Sequence, residues 1–496
     1  MKNKILLIEP PYFRLFKNSY SLDIYPLALG YLSGVIKQHT SWNVTTYNAD
    51  FNENSEFTEF GFLAGQGFKN YIKNLEDPSM HVWKEIEQTI LDLKPDVVGI
   101  STNSSNFASA LKVAKLVKKI NNNTLVILGG SHPSTAGKDI LKNDEVDVIV
   151  VGEGERTIVE LLKFIEDNKD LEQVEGIIFK KEGNIIETPR RPLIENLDSL
   201  PFPHEFAPEI LKDYNKYPVT AFKSIFSTRG CPFNCFYCGA REIWGRKPRI
   251  RSVENVIKEI KLLQELGVKF INFRDDLFRI NNDQIKKLCL AILEHFPGLK
   301  WVCEFSAKLV DDATIKIMKK AGCYKILLSV ESGNNFILDK MRKNVTIEEI
   351  FNACKIIKSN RIELSALFMV GFPYETEETL KDTLKAIKKI KADSVTLSTF
   401  CPYPGTEIFK FCKEHNLIKE DYNPSLQNHQ SREHCFCLNL DQEKFNTLVS
   451  KMEKITDNKN RRNRIKKLFS LRIFDMIKET GIKKNVKNGV RLIFKK

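Results

Sequence analysis

Phe222-Lys-Ser-Ile-Phe-Ser-Thr228-Arg-Gly-Cys231-Pro-Phe-Asn-Cys235-Phe-Tyr-Cys238 runs from an apolar strand pattern straight into three cysteines. The C-x3-C-x2-C spacing folds three sulfurs toward one point within a single short loop. Thiolates select soft metals and iron–sulfur clusters. Three ligands are one too few for a closed tetrahedral site, so a cubane held here leaves one iron open to an outside ligand. The competing reading is a structural zinc loop with its fourth ligand elsewhere. Zinc sites pair C-x2-C halves, and the other near-pair, Cys435-Phe-Cys437, lies about two hundred residues away.

The strand before this loop, read as Phe222–Thr228, opens a strand–helix series. Further strands are expected at Val268–Phe273, Lys300–Phe305, Lys325–Val330, Ile362–Val370 and Val395–Phe400. Helical periodicity fills the gaps at Ser252–Leu266, Asp283–His295, Asp311–Ala321, Thr346–Ser359 and Thr376–Ile390. Six strands alternating with helices make a partial (β/α)6 barrel of the TIM type, in which functional groups gather at strand C-termini. The cysteine loop follows the first of those ends.

Upstream, a separate alternating series reads as an α/β, doubly wound parallel sheet. Its strands are expected at Lys4–Ile8, Trp42–Tyr47, Asp96–Ser101, Leu125–Gly129 and Val146–Val151. The helices between and after them fall at Pro26–Gln38, Trp83–Leu93, Ser105–Ile120, Lys138–Lys142 and Thr157–Asp167. A hairpin around Gly183 and a proline-rich linker at Arg190–Pro208 put the domain boundary near residues 170–215. Ligands of such sheets sit beyond the strand C-termini. Glu9-Pro10-Pro11, Ser101 to Ser104 and Gly129-Gly130-Ser131-His132 therefore share one candidate rim.

At 496 residues, 42% hydrophobic and 28% charged, the chain is long enough for two or three cores. Ile5–Ile8 is too short for a secretory h-region, and no run approaches the ~18 apolar residues of a membrane span. Eleven cysteines without a signal segment point to a reducing cytoplasm. Of the net +13, most sits in Lys451–Lys496, which holds 16 Lys and Arg against 4 Asp and Glu. The rest is almost neutral, which argues against a general nucleic-acid surface and for one basic appendage. Within it, Arg461–Lys478 spaces Ile465, Leu468, Phe469, Ile473 and Met476 at near-helical intervals. Such a helix packs its apolar stripe on the barrel or lies on an anionic membrane surface.

Several barrel strands end in groups that can hold a ligand. The second ends in Asp275-Asp276, the fourth in Glu331 and the fifth in Gly371-Phe372-Pro373, while Cys401 follows the sixth. Carboxylates there accept hydrogen bonds from an ammonium or from ribose hydroxyls, or they cap the next helix. Cys289, Cys303, Cys323, Cys354 and Cys412 sit in core patterns and read as small buried hydrophobes.

With Tyr237 before the last cysteine, the loop resembles that of the radical S-adenosylmethionine (SAM) enzymes, whose [4Fe-4S] cluster chelates SAM and cleaves it to a 5′-deoxyadenosyl radical. The resemblance implies Cys231, Cys235 and Cys238 as cluster ligands, with Tyr237, Asp275, Asp276, Glu331 and Gly371 around SAM. The Gly-Gly-Glu usual at the second strand is absent. Over residues 1–440 the chain is similar, more narrowly, to the cobalamin (B12)-binding radical SAM enzymes. Pro26-Leu-Ala-Leu-Gly30, Asp96-Val-Val-Gly99, Gly129-Gly-Ser-His132-Pro, Val151-Gly-Glu-Gly154-Glu, Arg249-Ile-Arg251-Ser and Pro402-Tyr-Pro-Gly405 carry that likeness. It implies a Rossmann-like cobalamin domain over 1–170, a hairpin and linker over 171–215, the radical SAM barrel over 216–415 and a basic helical extension over 416–496. Ser101, Ser104, Gly129, Gly130 and His132 would then meet the corrin or its tail. The Asp-x-His-x-x-Gly motif of histidine-on cobalamin is missing, so His132 is read as a turn residue or corrin-edge contact and the cobalamin as base-off without a protein histidine.

The implied activity is methyl transfer from SAM by way of methylcobalamin to an unactivated carbon. The rivals are an oxidative cyclase or rearrangement enzyme like the anaerobic porphyrin-ring cyclase, and a B12 sensor with an inactive barrel. The resemblance also implies an external electron donor such as flavodoxin or ferredoxin, a small-molecule or lipid substrate, and a cytoplasmic location with peripheral membrane contact through the basic tail as one option.

Overall fold

The computed structural model describes residues 3–56, 62–419, 422–427, 432 and 434–468. Within them the chain forms two compact units, one from Met1–Ile280 with Cys401–Ser431, the other from Asn281–Phe400 with Arg432–Lys496.

The first unit is built on a seven-stranded sheet. Its strands are β1 (Lys4–Glu9), β2 (Asn43–Asn48), β3 (Val97–Ser101), β4 (Leu125–Gly129), β5 (Val148–Val150), β6 (Ile177–Lys181) and β7 (Asn184–Glu187). The order is β2-β1-β3-β4-β5-β6-β7, parallel through β5 and antiparallel at the hairpin. Period-two alternation decides which face each apolar residue enters. Leu6, Ile8, Val98, Ile100, Val126 and Leu128 feed one core, together with Trp83, Ile86 and Val113 from helices. Ile5, Leu7, Val97 and Ile127 feed the other, against Leu29, Ile36, Ile158 and Leu161. Burying each such side chain stabilises by about 1.5–3 kcal/mol, so near-continuous apolar strands are buried on both faces. This is the expected doubly wound sheet. The reading at Lys138–Lys142 needs correction, because Gly137–Lys142 winds as a tighter 3-10 turn.

The six parallel barrel strands are present. Two lie in the first unit: β8 (Ser224–Ile225), paired in parallel with β11 (Phe270–Phe273). Between them in sequence, β9 (Thr228–Arg229) pairs antiparallel with β10 (Arg249–Ile250). The second unit holds β12 (Lys300–Phe305), β13 (Cys323–Glu331), β14 (Glu363–Val370) and β15 (Ser394–Thr399), each parallel to the next. The strand expected over Phe222–Thr228 is broken. Val219–Phe222 is a 3-10 turn, and the backbone of Ser227 and Thr228 is diverted onto the Asp275 carboxylate instead of a neighbouring strand.

A long helix, Gln442–Leu468, closes the described chain. Phe445, Val449 and Met452 are buried, and Asn460 both donates to and accepts from the Val395 backbone, at 2.7 and 2.8 Å. The helix thus satisfies the outer edge of β15, which would otherwise present unpaired backbone groups. Of the expected basic amphipathic segment, Phe469 and everything after it lie outside the described residues. No described helix is long and apolar enough to cross a membrane.

Candidate functional site

The approach to the cysteine loop is held by two adjacent carboxylates at the end of β11. Asp275 is buried and accepts from the Ser227 N–H at 2.6 Å, the Thr228 N–H at 3.0 Å and the Ser227 hydroxyl. Burial pushes its pKa up to about 6, against the pull of those donors. Asp276 accepts from the Gly230 N–H at 3.1 Å, and burial raises its pKa as well. Gly230 has φ +89°, and a Cβ there would stand 3.1 Å from the Trp244 Cβ, so the turn into Cys231 requires glycine.

Within the loop, the Cys238 N–H donates to the Cys235 carbonyl at 3.2 Å. Phe236 is buried against the edge of Phe411, with ring centroids 6.0 Å apart. That anchor turns Cys238 outward, while Cys231, Cys235 and Tyr237 are half-buried. Coordination to a metal centre would deprotonate these three thiols outright. Among the described residues no three Cys, His, Asp or Glu side chains stand grouped so as to hold a metal ion. Three thiol donors within one short loop, Cys231 to Cys238, are nonetheless the donor set of an open three-thiolate centre.

The rim of the sheet forms a slot. Gly130 has φ +113°, and a Cβ there would fall 2.4 Å from the Thr102 carbonyl oxygen. Bare backbone at Gly129, Gly130, Gly152 and Gly154 borders a cavity of ≈ 320 Å³ floored by Leu29, Leu32, Ile127 and Ile158. A neighbouring cavity of ≈ 530 Å³ is lined by Glu9, Tyr12, Asp50, Ser104, Cys238 and Tyr403. The two share Asn103, Ser131, Ile243, Trp244 and Asp276 in their walls. Bare backbone beside an apolar slot suits a broad flat ligand with a tail, which is the shape of a corrinoid. Burial, then Asp50, drives the Glu9 carboxyl up to about 8, so it is largely protonated at neutral pH.

Of the rim residues read from sequence, Ser101, Gly129 and Gly130 line the smaller cavity and Ser104 the larger. His132 lines neither. It lies in the short helix Ser131–Ala136, buried on Phe107 at 4.2 Å between ring centroids, with Nδ1 3.0 Å from the Ser104 hydroxyl. Burial pulls its pKa down to about 4, which keeps the imidazole neutral. Asp276 faces both cavities, whereas Asp275 is taken up by backbone.

In the second unit, Glu331 ends β13 with φ +67° and pairs with Lys343 at 3.4 Å. Lys343 also donates to the Ser329 hydroxyl at 3.2 Å. Gly371 follows β14 with φ +90°, its N–H and that of Phe372 donating to the buried Glu375. Burial pushes the Glu375 carboxyl up to about 8.

One set of residues was missed as a functional unit. Arg229, directly before the loop, pairs with Glu153 and Glu155, and Arg249 pairs with the second oxygen of Glu153. All four side chains are at most 8% exposed. Burial opposes the charge on Arg229, and Glu155 and Glu153 more than offset it, so its pKa is raised further. The sequence signal was two glutamates flanking Gly154 directly after an apolar strand, since carboxylates buried at such a place need cationic partners. Trp244 was missed too, because a five-residue helix, Ala240–Trp244, is too short to show a period.

Comparison with known proteins agrees with this layout. Residues 14–162 match the B12 binding domain and residues 225–387 the Radical SAM superfamily. An uncharacterized methyltransferase of Pyrococcus horikoshii is 29% identical over 418 residues, covering 84% of this chain and 84% of that protein. The anaerobic magnesium-protoporphyrin IX monomethyl ester cyclase of Rubrivivax gelatinosus is 28% identical, over 66% of this chain and 60% of its own length. Among solved structures, the radical S-adenosylmethionine methyltransferase TsrM from Kitasatospora setae, with cobalamin and a [4Fe-4S] cluster bound, has a TM-score of 0.65 at 16% identity. That match covers 84% of this chain and 76% of TsrM, and it shows the shared fold. With its rim cavity and three-cysteine loop in one compact unit, the chain thus carries a B12 binding domain followed by a domain of the Radical SAM superfamily.

Proposed function

We propose that this enzyme transfers a methyl group from SAM, by way of cobalamin, to an unactivated carbon of its substrate. One observation carries the reading: Cys238 of the cysteine loop and the rim of the B12-binding sheet line the same ≈ 530 Å³ cavity. Methyl transfer needs the radical source and the methyl carrier beside one substrate carbon with water excluded. When bound, the cluster would supply the electron that opens SAM, and the corrinoid would carry the methyl group.

The residues take the following roles in this proposal. Cys231, Cys235 and Cys238 hold the cluster, and Phe236 anchors their loop. Asp275 acts on backbone, fixing the segment before the loop, while Asp276 is the carboxylate that meets a ligand. Tyr237, within the first unit, is assigned to SAM. Ser101, Ser104, Gly129 and Gly130 receive the corrinoid, and His132 supports Ser104 from behind, off the metal. A flavodoxin- or ferredoxin-type donor supplies the electron.

A cyclase or rearrangement chemistry is the second reading, favoured by the 28% identity to the porphyrin-ring cyclase. Anaerobic reconstitution with iron, sulfide, cobalamin, reductant and SAM separates the two. S-adenosylhomocysteine formed in step with methylated cobalamin supports methyl transfer. 5′-Deoxyadenosine alone, with cobalamin bound but never methylated, favours the cyclase class.

A further inference from the structure

We propose that Arg229 is a positioning residue that couples the glycine-rimmed cavity to the cysteine loop, so that cobalamin and the iron–sulfur cluster each bind more tightly when the other is in place. The inference rests on the cofactor assignment above.

Arg229 stands two residues before Cys231, and its guanidinium spans two carboxylates of the sheet's rim. One nitrogen donates to Glu153 at 2.6 Å and another to Glu155 at 2.5 Å. Both glutamates lie at the start of the helix Gly154–Glu166. The rings of Tyr31 and Trp244 approach the same guanidinium at 5.1 and 5.5 Å. Arg249, on the strand paired with β9, donates to the other Glu153 oxygen at 2.6 Å and to the Ile194 carbonyl at 2.7 Å. Arg229 is thus gripped through two fixed hydrogen bonds and two aromatic faces, which a single point charge would not reproduce.

Thr228, Arg229, Trp244 and the turn Gly152 to Glu155 are also wall of the ≈ 320 Å³ cavity. A ligand seated there removes water from one side of the ion network, and charge pairs strengthen as water is excluded. The stiffened segment leads directly to Gly230, whose left-handed backbone is pressed on Trp244 and tied to Asp276. Conversely, a cluster fixed on the three cysteines holds Arg229 where the glutamates need it. Both sites therefore share the cost of ordering one stretch, Thr228 to Cys231, and whichever fills second meets it already ordered.

The test is a cobalamin titration followed by absorbance, under anaerobic conditions with hydroxocobalamin as probe. It compares cluster-loaded enzyme with the Cys231→Ala/Cys235→Ala/Cys238→Ala protein. Cobalamin is expected to bind at least ~5-fold more tightly to the loaded form. In Arg229→Lys, which keeps the charge but loses the fork, and in Glu155→Gln, which keeps the shape, that ratio is expected to fall to near one. A network that serves only folding would weaken both forms alike and leave the ratio intact, which overturns the proposal. A ratio of one in the otherwise unchanged enzyme overturns it without any variant of the network having to fold. Absence of cobalamin binding to either form removes the cofactor reading and the proposal together.

Discussion

At Gly130 the chain leaves no room for a side chain. The φ of +113° is one that L-residues rarely adopt, and a Cβ would meet the Thr102 carbonyl at 2.4 Å. Gly130→Ala is expected to lower stability by about 1–3 kcal/mol through backbone strain and to weaken cobalamin binding roughly tenfold as the rim shifts. Urea denaturation and a cobalamin titration read the two effects separately. His132 makes a pH prediction. Its folded pKa of about 4 lies below the 6.5 of an ordinary histidine, so between those values the unfolded chain binds the extra proton. The stabilisation it gives is complete above pH 6.5 and is lost as pH falls toward 4, in all about 3 kcal/mol. His132→Gln can still hydrogen-bond Ser104 but does not titrate. Its urea midpoint is expected to fall less between pH 7 and pH 4 than that of the unchanged protein.

At the scale of elements, pattern served wherever a strand or helix is long and its burial periodic. Leu125–Gly129 and Lys300–Phe305 appear with the bounds read from sequence, because two buried faces leave a short apolar run no alternative. Phe222–Thr228 failed for a reason that periodicity does not carry: a carboxylate 48 positions further on captures the Ser227 N–H. That capture is itself testable. Asp275→Asn is expected to loosen the segment before the loop and reduce iron bound per chain after reconstitution several-fold, with far-UV circular dichroism unchanged. Iron retained at the level of the unchanged protein would deny Asp275 its positioning part. The closing helix offers a second test. Removing the two hydrogen bonds of Asn460 to Val395 in Asn460→Ala should cost about 1–3 kcal/mol. Hydrogen exchange along Ser394–Thr399 is expected to quicken accordingly.

Over the whole molecule, the ordered succession of motifs carried the family, while the ion network joining the two halves of the first unit did not show in any single motif. Val151-Gly-Glu153-Gly154-Glu155 and Arg249-Ile-Arg251 enter the likeness as two separate motifs, and only folding brings Glu153 to Arg249. Local sequence reports what a residue does to its own backbone, and it is silent on pairings of high sequence separation. The division of labour across the chain nonetheless gives a sharp test. If the sheet's rim binds cobalamin and the loop binds the cluster, the two functions separate under mutation. In Cys231→Ala/Cys235→Ala/Cys238→Ala, bound cobalamin should keep its absorption spectrum, with affinity reduced only by the lost coupling. Production of 5′-deoxyadenosine from SAM should fall below detection. Deoxyadenosine formed by this variant would move the cluster away from these cysteines. A non-catalytic B12 sensor would form none even with all three cysteines intact, so the unchanged protein, assayed beside the variant, decides between enzyme and sensor.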